Sequence, residues 1–320
     1  MLRSLLLIIS FFAGANTLQA QDYPSRPITI IDPAAPGGVS DIAARLIGEA
    51  LTAKWGQQVL VENRPGAGGS IGVGHAARAK PDGYTLLMTT NGQFAVNPFV
   101  YPSLPYDPDK DFIPVVLVTN NPMLLVANAK AEFNTLAEFI AAAKASPGKI
   151  GWASPGVGTW NHLAGEWLQS ELGIKLLHVP YRGGGPAGVA IAGGDVPVGL
   201  IAISSAMPHI KSGRMKVLAL STKERSSVDP SWPTVAEAAA PRFDAATWVG
   251  LFVQAATPQD VVRKIEGDVL EIVSRPNIKE RLNGLGIEVM VLPSDQFARR
   301  IKDDQQQVHA IIQASGLSLK

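Results

Sequence analysis

The chain of 320 residues contains no cysteine. This absence excludes disulfide bridges, thiolate metal sites and cysteine nucleophiles, and it leaves no cysteine to carry the lipid anchor of a lipoprotein. The sequence also lacks a charge excess, because 28 Lys and Arg against 27 Asp and Glu give a formal net charge of +1. A nearly neutral chain without basic runs argues against nucleic acid or an anionic membrane surface as its main partner.

Long apolar runs are scarce as well. The apolar stretch at residues 5–12 has eight residues, which is too few for a bilayer core that needs about 20. Arg3 precedes this stretch and Leu18, Gln19 and Ala20 follow it, in the pattern of a cleaved secretion signal. We therefore predict a signal peptide over residues 1–20, cleavage after about Ala20, and a mature protein that is free in the periplasm.

The common catalytic motifs are missing too. The patterns typical of P-loops, serine hydrolases and zinc proteases are absent, and the GxGxxG match at residues 183–188 is interrupted by Pro186. The histidines show no metal-ligand spacing, and the helical pair His162 and Glu166 is of a kind that more often makes a surface or cleft hydrogen bond. We expect a binding protein, not an enzyme, without metal or cofactor. A secreted hydrolase or isomerase that uses His162 and Glu166 as acid and base is a minor alternative.

What the sequence does contain is a regular alternation of strand and helix patterns, which predicts an α/β fold of parallel sheets covered on both faces. Its length suits two lobes. A long extended stretch at residues 115–126 is interrupted at Asn120, Asn121 and Pro122. Thr257 and Asp260 suggest a capping box for one late helix, and Ser294 begins the last. Further strands are predicted at residues 28–31, 59–62, 84–89, 149–154, 176–180, 196–203, 217–221 and 248–254.

Residues 36–46 and 155–164 form a quasi-repeat, each with a Pro-Gly turn, a hydroxyl residue and a helix after a predicted strand. A helix N-terminus presents unpaired N–H groups and partial positive charge, so two such loops facing one cleft would hold a small anion. Ser40 and Thr159 are candidate direct donors, with N-capping alone as the alternative. Asp41 is interpreted as a capping or loop-orienting group, or as one that reaches the ligand through water. Chance similarity of short glycine-rich turns is the competing explanation of the repeat.

Several ordered motifs resemble one known family, the extracytoplasmic receptors of the tripartite tricarboxylate transporters, of the Bug or TctC type. They extend over nearly the whole chain after residue 20. They are YPSRPI at residues 23–28, VENRPGAGG at 61–69, KPDGYTL at 80–86, HLAGE at 162–166, HVPYRGG at 178–184 and PTVAE at 233–237.

The resemblance implies a two-lobed periplasmic-binding-protein fold of type II, with residues 21–118 and 231–320 in one lobe and 119–230 in the other. It also implies a monomer, a carboxylate ligand, no cofactor and a membrane permease as partner. A role on a sensor kinase is the alternative. The implied ligand-binding residues of the first loop are Ala35, Pro36, Gly37, Gly38, Val39, Ser40 and Asp41. Those of the second loop are Ser154, Pro155, Gly156, Val157, Gly158, Thr159 and His162, and three more are Asn91, Tyr181 and Ile201.

One departure from the family pattern concerns the ligand. Members often carry Phe-Asp-Asn where this chain has Leu200, Ile201 and Ala202, so an acid that could face a ligand amine is replaced by Ile201. Val39 likewise stands where the family favours a small hydroxyl residue. We expect a ligand without a cationic amine, a plain or aromatic carboxylate. Trp160 favours an apolar body for that ligand, with lobe packing as its alternative role.

Overall fold

The computed structural model describes residues 23–226 and 228–315. The signal peptide predicted for residues 1–20 lies outside this part of the chain. The strands are β1 (Ile28–Asp32), β2 (Val59–Asn63), β3 (Thr85–Thr90), β4 (Phe112–Asn128), β5 (Gly151–Ser154), β6 (Leu177–Pro180), β7 (Val198–Ala202), β8 (Met215–Leu220), β9 (Ala246–Gln254) and β10 (Val289–Pro293). The α-helices are α1 (Val39–Trp55), α2 (Ser70–Ala77), α3 (Asn97–Val100), α4 (Leu136–Ala145), α5 (Trp160–Leu172), α6 (Gly184–Gly193), α7 (Ile203–Lys211), α8 (Val235–Ala238), α9 (Gln259–Ser274), α10 (Pro276–Gly284) and α11 (Ser294–Ser315).

The strand order is β2-β1-β3-β9-β4-β7-β5-β6, with β8 and β10 also paired to β4. Parallel pairs join β1 to β2 and β3, and join β5 to β6 and β7. The long strand β4 is antiparallel to its neighbours and changes partners along its length. Its first half pairs with β9 and β10, and its second half pairs with β7 and β8. The predicted α/β class is confirmed, in the form of mixed sheets with flanking helices.

Two apolar clusters hold the two groups of parallel strands. Ile28 and Ile30 of β1 pack with Ile47 of α1, and all three are fully buried. Around β5, the side chain of Trp152 packs with that of Leu163 of α5. Each such side chain contributes roughly 1.5–3 kcal/mol by leaving water. The clusters fix β1 and β5 against α1 and α5, and so they fix the loop between each strand and its helix.

The predicted interruption at residues 120–122 is wrong, because β4 runs through it. Asn121 pairs with Thr247 of β9, and its side-chain amide donates to the hydroxyl of Thr119 at 2.8 Å. Pro122 is tolerated because it lies where one edge of β4 changes from β10, paired at Thr119, to β7, paired at Met123.

The predicted capping box at Thr257 and Asp260 is also wrong. Helix α9 begins at Gln259, and its N-cap is Pro258, which makes no side-chain cap bond. A capping box does occur at the start of α8, where Thr234 and Glu237 each bond the other's backbone N–H. The prediction that Ser294 begins the last helix is confirmed. Within the described residues no helix has the length and apolar character to cross a bilayer.

Candidate functional site

A cavity of about 610 Å³ opens where the loops that follow six strands converge. These strands are β1, β2, β3, β5, β6 and β7, and lining residues lie at or after the carboxyl end of each, together with Thr247 near the start of β9. Ligands in α/β folds bind at this end, because the loops there can present backbone groups and helix N-termini to one space. In the structure the first loop is residues 33–40 and the second loop is residues 155–159. Asp41, Ser154 and His162, which the sequence analysis included in these loops, lie in α1, β5 and α5.

Five helices begin at this cavity. Residues at the starts of α1, α2, α5, α6 and α7 line it. The N-caps Gly38, Gly69, Gly183 and Ala202 make no side-chain cap bond, whereas the Thr159 hydroxyl accepts from the backbone of His162. Four helices therefore leave first-turn N–H groups unoccupied by a side-chain cap. The partial positive ends of five helices make this space attractive to an anion.

The side chains of the lining add to the same electrostatic preference. Arg182, which is exposed, is the charged residue among those that line the cavity, and no described lining residue is acidic. Tyr101 and Tyr181 also line it, and burial raises the pKa of both phenols, which keeps them neutral hydrogen-bond donors. Among the described residues, no group of three or more acidic or imidazole side chains is arranged to hold a metal ion.

A buried polar network supports the first loop from below. Asp32, at the end of β1, accepts hydrogen bonds from the Ser40 hydroxyl at 2.8 Å and from the backbone N–H of Ala34 at 3.2 Å. The side-chain amide of Asn63 donates to Asp32 at 3.1 Å and to Asp41 at 3.0 Å. Asp41 in turn accepts from the backbone N–H of Gly37 at 2.9 Å. The interpretation of Asp41 as a loop-orienting group agrees with this geometry.

The two carboxylates of this network have opposite pKa shifts. Burial raises the pKa of Asp32 to about 7, although the Ser40 and Ala34 hydrogen bonds oppose the shift. For Asp41, burial also disfavours the charge, but hydrogen bonds from Arg45, Gly37 and the Asn63 amide outweigh it and lower the pKa. Arg45 lies 2.8 Å from Asp41 and balances its charge. Of the two carboxyl groups beneath the first loop, Asp32 therefore becomes protonated at the higher pH.

The hydroxyls of Ser40 and Thr159 are already engaged inside the protein. Ser40 donates its O–H to Asp32, so this hydrogen is not free for a ligand. Thr159 donates to the Gly156 carbonyl at 2.7 Å and accepts from the His162 N–H at 3.2 Å. The structure thus gives Thr159 the N-capping role that was the alternative to ligand contact. The donors that remain for an anion at these loops are backbone N–H groups.

An aromatic stack supports the second loop. The Ser154 hydroxyl, at the end of β5, lies 2.6 Å from Nε2 of His178 and accepts from the Gly156 N–H at 3.1 Å. The rings of His178 and His162 stack with centroids 4.2 Å apart, and Trp152 lies 4.6 Å from His178. Burial lowers the pKa of each histidine to about 4, so both are neutral at pH 7. In the described residues no hydrogen bond joins His162 to Glu166, and His162 acts as a packing group.

The sequence-predicted residues divide into those that line the cavity and those behind it. The residues in the lining are Ala35, Gly38, Val39, Ser40, Pro155, Gly156, Val157, Thr159 and Tyr181. Pro36 and Gly37 line a neighbouring open groove. Asp41, Asn91, Ser154, Gly158, His162 and Ile201 are not among the lining residues of the cavity.

Those behind the lining have structural contacts. Asn91 donates from its amide to the Ala246 carbonyl at 3.1 Å. Ile201 is fully buried in the core and pairs with Leu124 of β4, so it does not face the cavity. Trp160 is also buried in the core, so of its two predicted roles the structure supports packing.

Several lining residues were missed by sequence reasoning. They follow β2, β3, β6 and β7 or begin β9, and they include Gly68, Gln93, Tyr101, Gly183, Gly184, Ser205 and Thr247. The glycine-rich runs at residues 66–69 and 183–185 were the available signal, because glycine after a strand permits close backbone approach. The hydroxyl oxygens of Ser205 and Thr247 are buried and have no hydrogen-bond partner within the described chain.

Loops that are distant in sequence touch around the cavity. The Tyr101 hydroxyl donates to the Val157 carbonyl at 3.1 Å, and a Cβ on Gly68 would lie only 2.6 Å from that same carbonyl oxygen. A Cβ on Gly183 would lie 3.2 Å from that of Ala35 in the first loop. Around the cavity, loops that follow β1, β2 and β3 therefore approach loops that follow β5 and β6.

Comparisons with known proteins agree with this architecture. The family model of the tripartite tricarboxylate transporter family receptors matches residues 43–317. Protein BugT of Bordetella pertussis is 34% identical over 321 residues, which cover 99% of this chain and 98% of BugT. The solved structure of the periplasmic binding protein BugD is 32% identical, with a TM-score of 0.87, and the match covers 92% of this chain and 99% of BugD.

Two further solved structures contain a ligand. Rpa4515 of R. palustris with adipate is 27% identical, with a TM-score of 0.90, and the match covers 93% of this chain and 99% of Rpa4515. MatC from Rhodopseudomonas palustris with bound malate is 31% identical, with a TM-score of 0.85, and the match covers 91% of this chain and 100% of MatC. Both ligands are dicarboxylates.

Proposed function

The chain belongs to the tripartite tricarboxylate transporter receptor family, and on that premise we propose that it captures a small organic carboxylate and delivers it to a membrane permease of that transporter type. As a member of this family it is a periplasmic solute-binding receptor without enzymatic activity. The ligand class, the contacts that hold the ligand and the permease partner are the parts that we propose.

The observation that carries the proposal is the convergence of five helix N-termini on one cavity. Helices α1, α2, α5, α6 and α7 begin there, and no described lining residue is acidic. A carboxylate placed at such ends accepts hydrogen bonds from backbone N–H groups and lies in their positive field. A cation placed there would meet the same field with no carboxylate partner. The cavity therefore favours an organic anion.

The size of the cavity and the ligands of relatives support a small acid. About 610 Å³ lies in the usual range for small-molecule sites. Adipate and malate are bound by two relatives that share this fold. Ile201 is buried in the core and cannot decide whether the ligand carries an amine, so the lining of the cavity is the basis for proposing a ligand without one. A ligand amine would find no described acidic side chain in that lining.

The ligand contacts that we propose are backbone groups of the first and second loops, together with Tyr181. We also propose that residues 21–118 and 231–320 form one lobe, that residues 119–230 form the other, and that the lobes close about the stretches near residues 119 and 230. The Tyr101–Val157 hydrogen bond and the close approach of Ala35 to Gly183 lie where such closure would bring the lobes together. Export to the periplasm through the predicted signal peptide belongs to the same proposal.

The test is thermal unfolding of residues 21–320 against a panel of mono-, di-, tri- and aromatic carboxylates. The protein is first unfolded and refolded to release any ligand from the expression host. A ligand at 100 times its Kd adds about 2.7 kcal/mol, which raises the melting temperature by roughly 5 °C or more.

Neutral diamides of the same acids serve as the control, because they keep the carbon chain and remove the negative charge. A shift with an acid and none with its diamide would support the proposal. Shifts of equal size with both, or none with any acid, would contradict it.

A further inference from the structure

Asp32 is a fully buried carboxyl group directly behind the wall of the cavity. It is the last residue of β1, its exposed fraction is 0%, and the next residue, Pro33, lines the cavity. Its Oδ1 accepts hydrogen bonds from the hydroxyl of Ser40 and the backbone N–H of Ala34, and both of these residues line the cavity too. Residues of the first loop therefore lie between this carboxyl group and the space that a ligand would occupy.

Within the described part of the chain, no positively charged side chain forms an ion pair with Asp32. The guanidinium of Arg45 pairs with Asp41 at 2.8 Å. Arg64 donates its backbone N–H to the Asp32 carbonyl, but its guanidinium pairs with Glu62 at 2.6 Å. A buried carboxyl group without a cation in contact loses its proton less readily than one in water.

Few ionisable groups lie on the elements packed against β1. The first loop and β3 contain none, and β2 contains Glu62, whose charge Arg64 balances. In α1, the charge of Asp41 raises the pKa of Asp32 and that of Arg45 lowers it. Burial is the largest cause and raises this pKa to about 7. The remaining neighbour, α2, contains one ionisable side chain, His75.

An ionised Asp32 would repel a carboxylate bound at the first loop. The Ser40 Oγ lies 2.8 Å from Asp32 Oδ1, so a ligand oxygen one hydrogen-bond length beyond Ser40 lies within roughly 6 Å of that charge. In partly buried surroundings, repulsion between two unit charges at this distance changes a binding constant by about tenfold or more. The same charge opposes the positive end of α1, which begins at Val39. Protonation of Asp32 removes both effects.

We propose that Asp32 couples capture of a carboxylate ligand to the uptake of one proton. The proton comes from solvent and binds at Oδ2, which accepts one hydrogen bond, from Asn63, whereas Oδ1 accepts two. The ligand-bound receptor holds Asp32 protonated, and ionisation of Asp32 weakens binding. The inference rests on the proposed function, since it adds a proton to the binding step at the same cavity.

The experiment is calorimetric titration of the refolded protein with malate, adipate and benzoate between pH 6.5 and pH 8.5, where these acids are largely ionised. Wild-type affinity is expected to fall about three- to tenfold per pH unit above pH 7, because the unliganded protein must then take up a proton in order to bind. Asp32→Asn keeps an acceptor for Ser40 and has no carboxyl group to ionise, so its affinity should be constant over this range.

A second measurement counts the protons in the wild-type protein and needs no variant. At pH 8, titrations in buffers of different ionisation enthalpy should show uptake of about 0.5–1 proton per bound acid. His75→Gln is the matched control, because it removes the ionisable group of α2, which is not among the lining residues of the cavity. This variant should keep both the pH dependence and the proton uptake of the wild type.

Three other outcomes would count against the coupling. Constant wild-type affinity without proton uptake at pH 8 would overturn it and leave the receptor role intact. Equal pH dependence in wild type and Asp32→Asn would assign the proton to another group and would also overturn it. If none of the three acids binds at any pH, the proposed function itself fails and the coupling fails with it.

Discussion

The hydroxyl of Tyr101 donates a hydrogen bond of 3.1 Å to the carbonyl oxygen of Val157 at the edge of the cavity. Tyr101 directly follows α3 and Val157 lies in the second loop, so the bond joins parts of the chain that are 56 residues apart. Both residues line the cavity, and the bond therefore links two sides of its wall.

Tyr101→Phe is expected to speed ligand release by about two- to tenfold, because one hydrogen bond contributes about 0.5–1.5 kcal/mol and this one holds the enclosed state. Stopped-flow displacement of a bound carboxylate measures the rate. Tyr84→Phe is the matched control, since the Tyr84 hydroxyl bonds Ser25 at the exposed surface. Equal release rates in wild type and Tyr101→Phe would show that this bond does not retain the ligand.

Gly68→Ala should disturb ligand binding more strongly than Tyr101→Phe, and it should lower the ligand affinity. An added Cβ would lie 2.6 Å from the Val157 carbonyl oxygen and 2.7 Å from the Tyr101 hydroxyl, so the two sides of the cavity would be forced apart. Gly148→Ala is the control, because Gly148 also has a positive φ but a Cβ added there would have no heavy atom within 4 Å. Both variants carry the backbone cost of an alanine at positive φ, about 1 kcal/mol. Calorimetry should show lost affinity in Gly68→Ala only, and similar losses in both would refute a steric effect on the cavity.

Asp32 should make the protein less stable as pH rises. Burial raises its pKa to about 7 in the folded state, against an ordinary value of 3.8, so between these values the folded state binds more protons than the unfolded state. The stability contribution therefore falls by up to about 1.4 kcal/mol per pH unit across this window and levels off above pH 7. Urea unfolding of wild type and Asp32→Asn from pH 5 to pH 8 should show the difference between them changing in favour of the variant. Parallel profiles would contradict the shifted pKa.

His162 and His178 should act in the opposite direction. Burial lowers both folded-state pKa values to about 4 from 6.5, so the unfolded state takes up protons first as pH falls. Their contribution is fully present above pH 6.5 and is lost as pH falls from 6.5 toward 4. His162→Phe keeps a stacking ring and removes one titrating group, and the Nδ1 that it removes has no partner in the described chain. Urea unfolding between pH 7 and pH 4.5 should show a shallower loss of stability in this variant, and an unchanged slope would count against the prediction.

Local sequence patterns were sufficient for most of the fold. The β-branched run of β1 and the Pro-Gly turn before α1 are short-range signals, and so are the corresponding features of β5 and α5. The two errors arose where local pattern competes with pairing or capping elsewhere. Pro122 interrupts a pattern but not a strand whose partner changes there, and Thr257 has the residue type of a cap but Pro258 takes the N-cap position.

The amino-acid sequence by itself determined the class of fold, the family and the placement of two helix N-termini after two strands. These features depend on periodicity, turn residues and ordered motifs, which are local and can be recognised without knowledge of tertiary contacts. Only the tertiary structure decided that Ile201 is buried in the core, that the Ser40 hydroxyl donates a hydrogen bond to Asp32, and that Gly184 packs closely against Ser205. Burial, hydrogen-bond direction and close approach depend on which distant segments pack together, and no single stretch of sequence contains that information.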